Sequence, residues 1–214
     1  GFMSAASPGV VGLFFRNDHY LSQEAYLYAI ADAMRQEYEA VVNAGFVLQI
    51  DCPDLAMGRH IQYADLTVAE FRKKAQLHIE VLNHALANIS PEKLRLHLCW
   101  GNYEGPHHCD IDLDRILPTV LKARAQAISF EAANPRHAHE WAVFKEHRLP
   151  DDKVLMPGLV EGHSHAMEGT FWRYVYVGYF DRMDPDGKTW PGLKSIDAVI
   201  AQLAQASAAL KDPA

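Results

Sequence analysis

Cysteine is scarce in this chain of 214 residues, which holds Cys52, Cys99 and Cys109. Three is an odd number and builds no disulfide framework, so a reducing cytoplasm suits the chain best. No unbroken apolar run is long enough to span a bilayer. The opening Gly1-Phe2-Met3-Ser4-Ala5-Ala6 lacks the basic start and apolar stretch of a signal peptide, and it reads as the interior of a protein. Basic residues are scattered, and the formal net charge is -7, which argues against a nucleic-acid or membrane-surface partner. There is no Gly-rich phosphate loop of dinucleotide or nucleoside-triphosphate type. The remainder is ordinary globular composition, 49% hydrophobic and 22% charged, with enough apolar content for a sizeable core in one large domain or two small ones.

Histidine is plentiful, with 12 in all, and His97, His107, His108, His137, His139 and His147 fall in one stretch. Their setting is an alternation of strands and helices. Residues 22–44 have a helical apolar period, with Ser22 as N-cap and Gly45 as stop. Residues 67–87 and 113–123 read as two more helices, and 135–147 as a fourth. Short β-type runs occupy 46–50, 94–98, 127–130 and 153–156, and 10–14 is the candidate for a fifth. A final Ala-rich amphipathic helix covers 195–210, after a turn at 184–187.

Alternation of this kind implies parallel strands joined by right-handed crossovers. The expected fold is therefore α/β: a partial, incomplete (β/α)8 TIM-type barrel with a C-terminal extension. A doubly wound open sheet is the alternative. Both architectures put their sites at the carboxyl ends of the strands. Polar residues gather there: Asp51 after the first of these strands, His97 and Cys99 after the next, and Glu131 after the third. Residues two apart on a strand share a face, so His97 and Cys99 point the same way. Imidazole and thiolate together suit zinc better than magnesium or calcium. Blander roles stand beside these: His97 and Cys99 as a packed pair, Asp51 as a turn cap, and Glu131 as support for the next helix. His107 and His108 are expected to be solvated on a loop. Arg136, His137 and His139 belong to a helix surface, with His137 the one placed to face the rim.

Four strings carry a family resemblance: Ala6-Ser7-Pro8-Gly9, then 48–57 (LQIDCPDLAM), then His97-Leu98-Cys99-Trp100-Gly101-Asn102, then 129–137 (SFEAANPRH). On them, residues 1 to about 158 resemble the catalytic barrel of cobalamin-independent methionine synthase, and most of all its relatives of the epoxyalkane:coenzyme M transferase type. The resemblance implies zinc held by His97, Cys99 and Glu131. It places Asp51 on the polar end of a thiol acceptor and Ser7 in the substrate site. It also implies a thiolate, derived from homocysteine or coenzyme M, that attacks a folate-borne methyl group or an epoxide. One departure matters: the family's late second cysteine, in an Asp-Cys-Gly string, is absent. Of the other cysteines, Cys109 is the one placed to reach the site. Three ligands plus an exogenous thiol still complete a tetrahedral catalytic zinc, with lowered affinity.

From about residue 154 the pattern changes. The segment 154–165 (VLMPGLVEGHSH) resembles the first strand of metal-dependent amidohydrolases, where such a string supplies two metal ligands, His163 and His165 here. Residues 171–180 look like an insertion within that second family. The expected division is 1–158 and 159–214, a junction of two incomplete barrels. No histidine follows His165, which leaves an amidase short of ligands. The competing expectation is an inactive fragment that self-associates through unpaired strand edges into a homo-oligomer.

Overall fold

The computed structural model describes residues 1–101, 107–132, 137, 139–158, 181–183 and 188–209. They belong to two compact units, Gly1–His163 and Ser164–Ala214. The junction histidines His163 and His165, the aromatic stretch 171–180 and the turn 184–187 lie outside the described residues.

In the first unit the order is β1 (Phe2–Ala6), α1 (Pro8–Phe14), α2 (Gln23–Asn43), β2 (Val47–Cys52), a 3-10 turn at Pro53–Leu55 and α3 (Gly58–Ile61). Then come α4 (Val68–Ala85), β3 (Leu94–Leu98), α5 (Leu113–Val120), β4 (Ala127–Glu131), a 3-10 segment at Glu140–Lys145 and β5 (Val154–Gly158). Local chemistry sets the helix starts. The Ser22 hydroxyl accepts from Ala25 N–H at the head of α2. Thr67 and Glu70 close a reciprocal capping box on α4.

All five strands are parallel and lie in the order β1-β2-β3-β4-β5. A sequential order with right-handed crossovers puts the helices on one face. The contacts agree, with α2 packed on α4 and α4 on α5. A doubly wound sheet would reverse its strand order and carry helices on both faces. The architecture is thus barrel-like in topology, and among the described residues β1 and β5 each pair on one side only.

Register divides the sheet into two chemistries. Ala5, Ile50, Leu96, Ile128 and Leu155 are matched across the five strands, and this apolar rank joins the core beneath the helices. Matched residues of a parallel pair share a face, and the next residue along takes the other. The opposite face therefore carries the rank Ser4, Gln49, Arg95, Ala127 and Val154, and the rank Ala6, Asp51, His97, Ser129 and Met156. In a barrel that second face looks inward.

Two expectations are overturned. Residues 10–14 are helical, within α1, because Ser7 caps the segment and Pro8 starts it; the extra strand is Phe2–Ala6. The expected α-helix over 135–147 is, among the described residues, a 3-10 segment at Glu140–Lys145, with Trp141 exposed.

The second unit contains a short antiparallel pair, β6 (Arg182–Met183) with β7 (Thr189–Trp190). Its last element among the described residues is α6 (Ile196–Ala209), where the Ser195 hydroxyl accepts from Ala198 N–H at 3.2 Å. No helix among the described residues is long and apolar enough to cross a membrane.

Candidate functional site

The carboxyl ends of β1 to β4 and the loops that leave them form one mouth. Ser7 sits there as the N-cap of α1. Its hydroxyl accepts from Val10 N–H at 3.0 Å and donates to Asp54 Oδ1 at 2.6 Å. Asp54 Oδ2 meets His78 Nδ1 at 2.9 Å. Ser7, Asp54 and His78 are all buried. The order matters chemically. The carboxylate is central, so the imidazole cannot take a proton from the hydroxyl as a catalytic base would. This triplet ties the β1 loop, the β2 loop and α4 together.

Asp51, at the end of β2, reaches His97 on β3, with Oδ1 and Nδ1 2.5 Å apart. His97 is buried and Asp51 half-buried. A carboxylate on one imidazole nitrogen fixes the ring and makes the other nitrogen the metal-facing one in many metal sites. Two residues on, Cys99 Sγ accepts from Gly101 N–H at 3.3 Å. Gly101 has φ +90°, a backbone conformation that a side chain would disfavour. Leu98 and Phe130 are matched across β3 and β4; Glu131 ends β4, and Cys99 follows β3 directly. Alternation puts His97 and Glu131 on the polar side at adjacent strand ends, with Cys99 just beyond the end of β3. Cys52 takes the other face, in the core, and burial together with the Asp54 and Asp51 charges pushes its thiol well above the ordinary value. All three cysteines are free thiols.

Two triplets among the described residues bring their donor atoms within 4.8 Å of one another: His60, His108 and Cys109, and His107, Asp110 and His137. Neither contains His97, Cys99 or Glu131. The strand-end set fits zinc by its chemistry, with imidazole, sulfur and carboxylate as donors, but it is not one of the tight triplets.

Both triplets draw on the four-residue run His107-His108-Cys109-Asp110 in the loop after β3. Asp110 Oδ2 accepts from His107 Nδ1 at 2.8 Å and from His137 Nε2 at 3.0 Å. His137 Nδ1 stands 3.5 Å from Glu140 Oε1, and Glu140 Oε2 accepts from Leu113 N–H at 2.8 Å. Burial works against the His137 cation, yet Asp110 and Glu140 outweigh it and push the imidazole up to about 9. Burial also disfavours the Asp110 carboxylate, but the hydrogen bonds from His137 and His107 hold it below the usual range. The expectation of solvated His107 and surface His137 is corrected here: His107 is half-buried, and His137 is buried with its ring stacked on Trp100 at 4.5 Å. His108 and His139 are exposed as expected. Arg136 lies outside the described residues.

Comparison with known proteins adds to this geometry. The family model described as "Cobalamin-independent synthase, Catalytic domain" matches residues 12–173, a span that includes β2 to β5 and runs across the 154–165 string. A methionine synthase of Saccharolobus solfataricus is 26% identical over 117 residues, which cover 53% of this chain and 31% of that protein. The structure of a B12-independent methionine synthase from Shewanella sp. W3-18-1, in complex with selenomethionine, superposes with a TM-score of 0.48 at 16% identity. That match covers 78% of this chain and 57% of the other. The chain thus spans less than two thirds of either relative.

Proposed function

We propose zinc-dependent alkyl transfer to a thiol for this chain, which belongs to the family of the cobalamin-independent synthase catalytic domain. What supports the proposal is the register that sets His97 beside Asp51 on the polar face, with Cys99 directly after β3 and Glu131 at the end of neighbouring β4. His97, Cys99 and Glu131 would hold the ion. Zinc bound there supplies a Lewis acid that lets a substrate thiol lose its proton near neutral pH.

The chain's own residues do the rest. Asp51 aligns the His97 ring through Nδ1, so Nε2 would be the ligand nitrogen. Gly101 N–H donates to Cys99 Sγ and orients it. Asp51 also lies on the face where the acceptor's ammonium or other polar end would rest, with Ser7 at the neighbouring loop. The acceptor is homocysteine or a related thiol such as coenzyme M. The donor is a folate-borne methyl group or an epoxide. The new S–C bond forms as the donor's C–N or C–O bond breaks, with the electron pair leaving on nitrogen or oxygen. The free thiols support a reducing compartment such as the cytoplasm.

A second reading has its own observation. Edge strands β1 and β5 expose Phe2, Met3, Val154 and Met156. Such edges favour an inactive chain that self-associates. Proton release separates the two readings. Zinc-loaded chain mixed with homocysteine or coenzyme M at neutral pH, in a lightly buffered cell, should release about one proton per thiol bound. Cys99→Ser should abolish the release. A zinc-loaded parent chain that releases no proton with either thiol contradicts the transferase reading and leaves the inactive one.

A further inference from the structure

The run 107–110 holds chemistry that the strand-end set does not use. We propose that His107, Asp110 and His137 form a second metal site, free of sulfur, that takes a divalent transition ion on two imidazoles and one carboxylate.

Spacing is the first support. Ligands about 2.1 Å from an octahedral ion stand about 3.0 Å apart along a cis edge, against about 3.4 Å for a tetrahedral one. Asp110 Oδ2 lies 2.8 Å from His107 Nδ1 and 3.0 Å from His137 Nε2. Two edges of an octahedral face are thus already at ligand spacing. The ion would replace the two ring protons that now point at one oxygen.

The second support is an unmet demand. Asp110 Oδ1 is buried and has no hydrogen-bond partner among the described residues. A buried carboxylate oxygen left unpaired is destabilising. A hydrogen-bonded cluster built for structure alone would spread its two donors over the two oxygens. A cation bound by both oxygens of Asp110 would satisfy the second one.

Rigidity is the third. His137 is stacked on Trp100, and Trp100 Nε1–H donates to Ile111 O at 2.7 Å. Glu140, beside His137, is held by Leu113 N–H. Such outer contacts fix ligand rings before an ion arrives. The cluster opens on a cavity of about 290 Å³ lined by His107, Asp110, Asp112, His137, His139 and Glu140. Its acidic wall attracts cations, and its volume leaves room for water or a small anionic ligand on the open coordination positions. Two imidazoles, one carboxylate and open positions suit iron(II), cobalt(II), nickel(II), manganese(II) or zinc.

The test uses the full chain, stripped with a chelator and titrated with Co2+ by calorimetry and metal analysis. In the Cys99→Ser/Cys109→Ser double variant, one Co2+ per chain should still bind. Asp110→Asn or His107→Gln in that background should weaken it at least tenfold. Circular dichroism reports whether each variant is folded. The parent chain gives a reading that needs no substitution: on Co2+ binding, paramagnetically shifted imidazole N–H signals of two histidines beyond the one that His97 gives. Metal retained at parental affinity in folded Asp110→Asn and His107→Gln overturns the site. So does a double cysteine variant that binds no Co2+ and shows no shifted imidazole signals. Loss of the thiol-linked proton release with this Co2+ site intact sinks the transferase reading alone.

Discussion

Gly9→Ala should cost the protein about 3–6 kcal/mol, the sum of two hydrogen bonds to a buried carboxylate at about 1.5–3 kcal/mol each, and lower the midpoint of thermal unfolding by on the order of 10 °C. A Cβ at Gly9 would stand 2.0 Å from Asp54 Oδ2 and 2.7 Å from His78 Nδ1. No bond distance accommodates that, so the carboxylate must leave. Its departure strips the Ser7 hydroxyl of an acceptor and leaves His78 buried without its partner. Gly12→Ala is the control. There the clash, at 2.8 Å, is with the end of the Leu27 side chain, which can rotate, so the cost should be smaller. Thermal unfolding followed by circular dichroism checks both. Equal losses in the two variants would mean that the Ser7–Asp54–His78 link does not hold the β1 and β2 loops to α4.

Asp51→Ala should weaken zinc binding about 10- to 100-fold, the usual penalty for removing a carboxylate behind a ligand histidine. The carboxylate holds Nδ1 of a ring that is itself buried, so its loss frees the ring to turn and leaves a polar nitrogen to find another partner. Asp51→Asn should fall between parent and alanine, since the amide oxygen can still accept from the ring but carries no charge. Competition with a chromophoric chelator measures the affinity. The Asn and Ala variants should remain folded, because the Asp51 side chain lies on the polar face and either substitution keeps its main-chain oxygen accepting from Ser7 N–H at 3.0 Å. Zinc affinity unchanged in Asp51→Ala would assign that residue to the acceptor alone.

Much of the scaffold was legible in the residues. The helix α2 announces itself by period and by Ser22, and α4 by period and by its Thr67–Glu70 box. Strands β2 to β5 stand out as apolar runs between turn residues, and alternation predicts their parallel pairing. The first strand was not legible, because Phe2-Met3-Ser4-Ala5-Ala6 is short, small and mostly exposed, with little apolar period to detect. The run Val10-Val11-Gly12-Leu13-Phe14 misleads for the opposite reason: a short apolar run fits strand or helix equally. Here Ser7 and Pro8 decide for helix. The stretch before His147 misleads through helix-forming residues that tertiary contacts hold in a 3-10 segment instead.

The mouth divides the same way. The gathering of Asp51 and His97 at strand ends could be read in advance, whereas their match depends on the β2–β3 register. The link from Asp54 to Ser7 and His78 could not, since it joins residues 47 and 24 positions apart through loop paths. The approach of His137 to Asp110, 27 positions apart, is of that kind too. Its one local trace is His107 and Asp110 three apart in a four-residue run of potential ligands.

Cobalt substitution tests the central claim most directly. A thiolate bound to Co2+ gives a near-ultraviolet charge-transfer band that imidazole and carboxylate ligands do not. With His97, Cys99 and Glu131 as the ligand set, the band should form in the parent chain, persist in Cys109→Ser and vanish in Cys99→Ser. A band that survives Cys99→Ser and disappears in Cys109→Ser would put the metal-bound sulfur with His60 and His108, and would contradict the strand-end zinc site.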